Sequence, residues 1–153
     1  MTGIQYLNFI CDIYRVPVKT RKAKVDSLIE QFQMEKSINS LISSFSHGMK
    51  QKTALIAAFA HDPKILILDE PFIGLDPESF IILKNQMNRL RSMGGAILFS
   101  SHILDVVERV CNKIAVIKDG KLVYEGATEE ATRLNNLESF FMELNHADAI
   151  SSL

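Results

Sequence analysis

Two carboxylates in succession, Asp69 and Glu70, end the run Ile65-Leu66-Ile67-Leu68 and are followed by Pro71. Four consecutive apolar residues predict a strand buried on both faces, as in a parallel sheet. Adjacent acidic side chains at the carboxyl end of such a strand are poorly explained by packing, and the strand ends of open parallel sheets are where ligands bind. One carboxylate there can hold Mg²⁺, directly or through water, beside a phosphate. Its neighbour can then polarise an attacking water. The plainer alternative is a solvated Asp-Glu turn that caps a helix.

His102 follows a second apolar run, Ala96-Ile97-Leu98-Phe99, through Ser100 and Ser101. It therefore belongs at a strand's carboxyl end as well, where a neutral imidazole can hydrogen-bond a phosphate oxygen or orient a water. The competing role is a cap on the next helix. Ser46 and Gly48 precede an Ala-rich helical pattern, and a hydroxyl, a glycine amide and a helix N-terminus together suit an anion. An ordinary N-cap is the alternative for this segment. His47 has no metal-ligand spacing, and His61 and His146 read as surface residues.

The elements that must position these residues follow from periodicity and punctuation. Thr2 with Gln5 has the form of a capping box. It opens a helix with Ile4, Leu7, Ile10 and Tyr14 on one face, ending before Pro17. A second helix is predicted from about Thr20, with Val25, Leu28, Ile29 and Phe32 inward and Arg21, Lys22 and Lys24 in water. Ser46 caps a third, running through Ala60 to His61-Asp62-Pro63. Asp76 is the expected N-cap of a fourth, with Pro77 at its first position, and Gly94-Gly95 ends it. A short helix from about Leu104 to Val110 follows the second strand. Ile114-Ala115-Val116-Ile117 and Leu122-Val123-Tyr124 flank an Asp119-Gly120 turn and form a hairpin. Beyond Thr128 the pattern is helical, with Leu137, Phe140, Phe141 and Leu144 on one stripe. Strands alternating with helices predict an α/β layered fold with a helical appendage at its start.

The composition narrows the function. The 153 residues are 47% hydrophobic and 23% charged, which suits one globular domain and excludes a disordered or collagenous chain. Seventeen basic residues against 18 acidic ones give a net charge of -1, so no global charge favours nucleic acid or anionic lipid. No apolar run approaches the ~20 residues of a membrane span, and no secretion signal is read at the N-terminus. Cys11 and Cys111 stand far apart, without disulfide or zinc spacing, which suits a reducing compartment.

Four segments then occur in a telling order: Phe45-Ser46-His47-Gly48-Met49, Ile65 to Pro71, Gly74-Leu75-Asp76-Pro77, and Ser100-Ser101-His102. Together they resemble the ABC ATPase, the nucleotide-binding subunit of ABC transporters, over roughly residues 2–130. The Ser-His-Gly-Met form is similar to bacterial ABC-2-type exporters. The resemblance implies a partial P-loop NTPase (RecA-like) parallel sheet layered with helices and preceded by a helical subdomain. It divides the chain into a helical subdomain ending in the signature loop and helix (1–62), the C-terminal part of the ATPase core (63–130) and a helical tail (131–153). It makes Asp69 the Walker B carboxylate serving Mg²⁺, Glu70 the general base, and His102 the switch histidine contacting the γ-phosphate of ATP. Ser46 and Gly48 become the signature loop, which closes over ATP held by the opposite subunit, and Asp76 lies in the D-loop. Phe45, His47 and Met49 depart from the usual Leu-Ser-Gly-Gly-Gln. The implied partners are a membrane permease and a second ABC ATPase subunit in a head-to-tail dimer. The implied location is cytoplasmic, on the inner face of the cell membrane, with no nucleic acid bound.

The 153 residues contain no Gly-rich loop ending in Gly-Lys-Ser/Thr. They lack as well the adenine-stacking aromatic and the Gln-containing loop that the resemblance would place before Thr2. The chain is thus expected to be the C-terminal half to two-thirds of such a subunit. Backbone amides and a Lys in the phosphate loop supply most of the positive field around a triphosphate. Without them, negligible ATP affinity and no hydrolysis are expected, and without the phosphate-loop strand and its helix an uncovered apolar strand face is expected. A non-catalytic partner that supplies Ser46 and Gly48 in trans to an intact ATPase is the alternative. A soluble ABC ATPase of translation or DNA repair is a third reading, disfavoured by the neutral charge and the lack of coiled-coil heptads.

Overall fold

Thr2 opens the first helix through a complete capping box: its hydroxyl accepts the Gln5 N–H at 3.3 Å, and the Gln5 side chain accepts the Thr2 N–H at 2.9 Å. This helix, α1, spans Gly3–Ile13, and α2 spans Val18–Gln31 after Pro17, two residues ahead of the predicted start. The computed structural model describes residues 1–133 and 135–150. The side chains of 145–150 lie outside the described residues, and with them the surface reading of His146. Two units are distinguished, Met1–Ser100 and Ser101–Leu153.

In the first unit the buried edge of α1 is Gly3, Leu7 and Cys11, offset from the predicted stripe, and Tyr14 is exposed. The offset has a steric cause. A Cβ on Gly3 would stand 2.8 Å from the Ile38 side chain and 3.1 Å from Phe45, so only glycine lets α1 approach that closely. Helix α2 buries Val25, Leu28 and Ile29, with Phe32 just beyond its end, as its spacing predicts. Arg21 and Lys24 depart from the solvated reading. Arg21 pairs with Asp12 and donates to the Val16 carbonyl at 3.1 Å, while Lys24 pairs with Asp62, and both side chains are largely covered. Their long stems lie along apolar surface while the charge finds a partner.

Helix α3 spans His47–Ala60 and leads through Asp62, at φ +51°, into strand β1, Ile65–Asp69. Helix α4, Pro77–Ser92, returns the chain to β2, Ala96–Ser100. The strands pair in parallel, from Ile65 opposite Ala96 to Asp69 opposite Ser100. Leu66, Leu68, Ile97 and Phe99 occupy the covered face. Burial on both faces, predicted from the apolar runs alone, is not found, whereas the uncovered strand face expected of a partial sheet is: Ile65, Ile67 and Leu98 are 70%, 72% and 65% exposed, so among the described residues nothing covers the other face.

The second unit contains α5 (Leu104–Val110), the antiparallel strands β3 (Lys113–Lys118) and β4 (Lys121–Ala127), α6 (Thr128–Ala131) and α7 (Leu137–Ile150). Asp119 and Gly120 both adopt positive φ, +49° and +73°, the backbone a two-residue hairpin turn requires. Ile114, Ala131 and Leu137 form its core, with Tyr124 and Phe140 ring-to-edge at 4.7 Å. Of the predicted tail stripe, Leu137 is buried, Phe140 and Leu144 are half-buried and Phe141 is exposed.

Candidate functional site

Parallel pairing in equal register makes Asp69 and Ser100 partners on the last rung of β1 and β2. Side chains alternate along a strand, so Asp69 lies on the face of Ile65 and Ile67, and Ser100 on that of Leu98. The carboxylate thus belongs to the uncovered face. Ser100 Oγ donates to Asp69 Oδ1. Ser100 Oγ and the Ser100 carbonyl also receive the Glu70 N–H, each at 3.2 Å. A single serine therefore fixes both the Asp69 carboxylate and the backbone of Glu70.

The backbone of Glu70 is constrained as well. Its φ is +45°, in the left-handed region that costs a side-chain-bearing residue ~1–2 kcal/mol. The turn is held by the Ile73 N–H donating to the Glu70 carbonyl at 3.2 Å, by buried Pro71, and by Phe72 packed on Phe80 and Phe99 at 4.8 and 5.5 Å.

Ser46, Gly48 and Asp76 form a second constellation in the same unit. Ser46 is the N-cap of α3 and accepts the Met49 N–H at 3.2 Å. Asp76 is the N-cap of α4, accepts the Ser79 N–H at 2.8 Å, and receives Lys52 Nζ at 2.6 Å. The Lys52 hydrogen bond chiefly, and then the Ser79 N–H, lower the Asp76 pKa to about 2. Gly48 and Gly74 meet: a Cβ on Gly48 would lie 2.7 Å from the Gly74 carbonyl oxygen, and one on Gly74 would lie 2.7 Å from the His47 ring. Gln51 Nε2 donates to the Pro71 carbonyl at 3.1 Å, joining α3 to the acidic turn. The first turns of α3 are thereby interlocked with the segment from Pro71 to Asp76.

His102 belongs to the second unit and is exposed. The N-cap of α5 is Ile103, whose N–H is received by Ser101 Oγ at 3.2 Å. His61 caps the C-terminus of α3 and stacks on Tyr14 with ring centroids 3.8 Å apart. Ser100 and Lys52 are the residues to which sequence reasoning gave no role. Equal strand lengths placed Ser100 opposite Asp69 in principle, whereas the reach of Lys52 to Asp76 depends on tertiary packing.

Among the described residues no three His, Cys, Asp or Glu side chains converge as a metal cage. A lone strand-end carboxylate instead suits Mg²⁺, which keeps most of its shell as water and substrate oxygens.

The ABC transporter family model matches residues 5–73. A solved ATP-binding subunit of an ABC transporter superposes with a TM-score of 0.90 at 30% identity, over 95% of this chain and 62% of that one. The chain belongs to the ABC transporter family. Its fold is that of the P-loop NTPase subunits that bind ATP. The ABC transporter ATP-binding protein NatA of Bacillus subtilis (strain 168) is 35% identical over 93% of this chain and 59% of its own length. The ABC-type transporter ATP-binding protein EcsA of the same organism is 31% identical over 97% and 62%. The Nod factor export ATP-binding protein I of Rhizobium meliloti is 34% identical over 74% and 34%. This ABC chain thus spans less than two thirds of the length of these relatives.

Proposed function

We propose that the chain is part of the ATP-binding and ATP-hydrolysing component of a bacterial ABC transporter. Residues 1–62 serve as the helical subdomain, 63–130 as the C-terminal part of the ATPase core, and 131–153 as a helical tail. The observation that carries the proposal is the acidic turn on the uncovered face of β1–β2, where one serine orders Asp69 and the backbone of a left-handed Glu70. Asp69 would hold Mg²⁺, and that ion would neutralise phosphate charge. Glu70 accepts a proton from the attacking water, and His102 hydrogen-bonds the γ-phosphate. Ser46 and Gly48 close over ATP held by a second subunit in a head-to-tail dimer, and Asp76 belongs to the D-loop at that interface. The natural setting is the cytoplasmic face of a membrane, docked on a permease. No described helix is long and apolar enough to cross a bilayer.

The 153 residues hold no Gly-Lys-Ser/Thr loop, so Asp69 and Glu70 alone repel a triphosphate. By itself the chain therefore binds Mg-ATP negligibly and hydrolyses none. Supplying a polypeptide that carries the strand and Gly-rich loop of an ABC ATP-binding subunit is expected to create ATPase activity. Glu70→Gln then lowers kcat by at least about 100-fold with little change in nucleotide binding. Full turnover in that variant, or micromolar affinity of the chain alone for a fluorescent ATP analogue, would refute the assignment.

A further inference from the structure

A cleft of the first unit lies at the opposite end of the β1–β2 pair from Asp69. It has a volume of about 990 Å³ and is bounded by α2, the end of α3, the last turns of α4 and the Gly94-Gly95 turn. Lys64 and Gly95, which immediately precede β1 and β2, line it, so it sits at the amino ends of both strands. Four cationic residues, Lys19, Lys24, Lys64 and Arg89, face one carboxylate, Asp62, which Lys24 already engages. In a chain of net charge -1, this concentration of positive charge is local. Leu28, Phe59 and Leu90 supply an apolar floor beneath exposed Lys19, Lys64 and Arg89, and Met93, 71% exposed, forms a lip.

Cations over an apolar floor call for an occupant that is both anionic and hydrophobic. A small phosphate ester fits less well, because the backbone donors of the turn are committed. The Gly94 N–H donates to the Arg91 carbonyl at 2.9 Å, the Gly95 N–H to Leu90 at 3.0 Å, and the Ala96 N–H to Lys64 at 2.9 Å. No amide cradle is left for an anion there. The volume also exceeds what an inorganic anion fills. We infer that this cleft is a docking site for an acidic, leucine-bearing peptide segment of a partner protein. Carboxylates of the segment meet Lys19, Lys64 and Arg89, and its apolar side chains enter between α2 and α4. The site is remote from the acidic turn and does not depend on the chain's role in ATP hydrolysis.

The test titrates the full chain with a ~12-residue peptide rich in Asp, Glu and Leu, by calorimetry and amide chemical shifts. Saturable binding is expected, with shifts clustered at Thr20, Lys64 and Gly95 and affinity falling as salt rises. Lys64→Glu with Arg89→Glu should weaken it about tenfold or more, and Lys64→Gln with Arg89→Gln by less. Lys36→Glu with Lys121→Glu, an equal charge change outside the cleft, should leave it intact. Both cleft residues are exposed, and an unchanged melting curve confirms that the reversed variant is folded. The inference is overturned if the peptide does not bind, or if the control weakens it equally. Pyrophosphate displacing the peptide at equal affinity would mark a small-anion site. Self-association lost on cleft reversal, without peptide binding, would assign the cleft to a second copy of the chain.

Discussion

Lys52 donates to Asp76 across 2.6 Å while Ser79 supplies a backbone N–H to the same carboxyl, and together they lower its pKa from the ordinary 3.8 to about 2. A depressed carboxyl pKa favours the folded state above the unfolded-state value. That contribution is complete above about pH 4 and is lost as pH falls from there toward 2. Because the Asp76 side chain is 49% exposed, solvent screening holds the pair to ~1 kcal/mol or less. Lys52→Met preserves much of the stem and removes the charge. It should cost up to ~1 kcal/mol at pH 6, with the deficit shrinking as the pH drops through 4. Urea unfolding of both proteins across that range measures it. A deficit independent of pH would mean that the stem, not the ammonium, matters.

At the level of elements, the interlock between α3 and the Pro71–Asp76 segment rests on two glycines facing each other. Gly74 has φ +76° and would present a Cβ to the His47 ring at 2.7 Å. Gly74→Ala therefore combines left-handed backbone strain with a steric clash and should destabilise by ~1–3 kcal/mol. His47→Ala removes the clash but not the strain, so the double variant should recover part of the loss. A thermodynamic cycle over the four proteins would then show a coupling of ~0.5 kcal/mol or more. Strict additivity would mean that His47 and Gly74 do not constrain each other. The caps at Thr2, Ser46 and Asp76, both strands and the Asp119-Gly120 turn were legible because each is a local device with a local sequence pattern. The offset of α1, the pairing of Arg21 and Lys24 and the Gly48–Gly74 contact were not. They arise where distant segments pack, and no spacing within one element encodes that.

At the scale of the whole molecule, the two faces of the β1–β2 pair differ in kind. One buries Leu66 beneath helices, and the other shows Ile65, Ile67 and Leu98 to solvent beside Asp69 and Ser100. Continuous apolar strands belong in sheets covered on both sides, and their exposure invites pairing with another chain. The acidic turn was recognisable from residue order alone, yet its position on an open face could be seen only once strand register and helix placement were known. The chain by itself should accordingly associate through this face rather than melt as a monodisperse monomer. Ile65→Lys with Leu98→Lys places charge on the open face without emptying the core. That variant should reduce self-association in light scattering while changing stability by no more than ~0.5 kcal/mol per site. If association persists unchanged while the core stays folded, the contact must lie elsewhere on the surface, and Met93 at the cleft lip or Ile117 and Leu122 on the hairpin, all exposed, become the residues to reverse next.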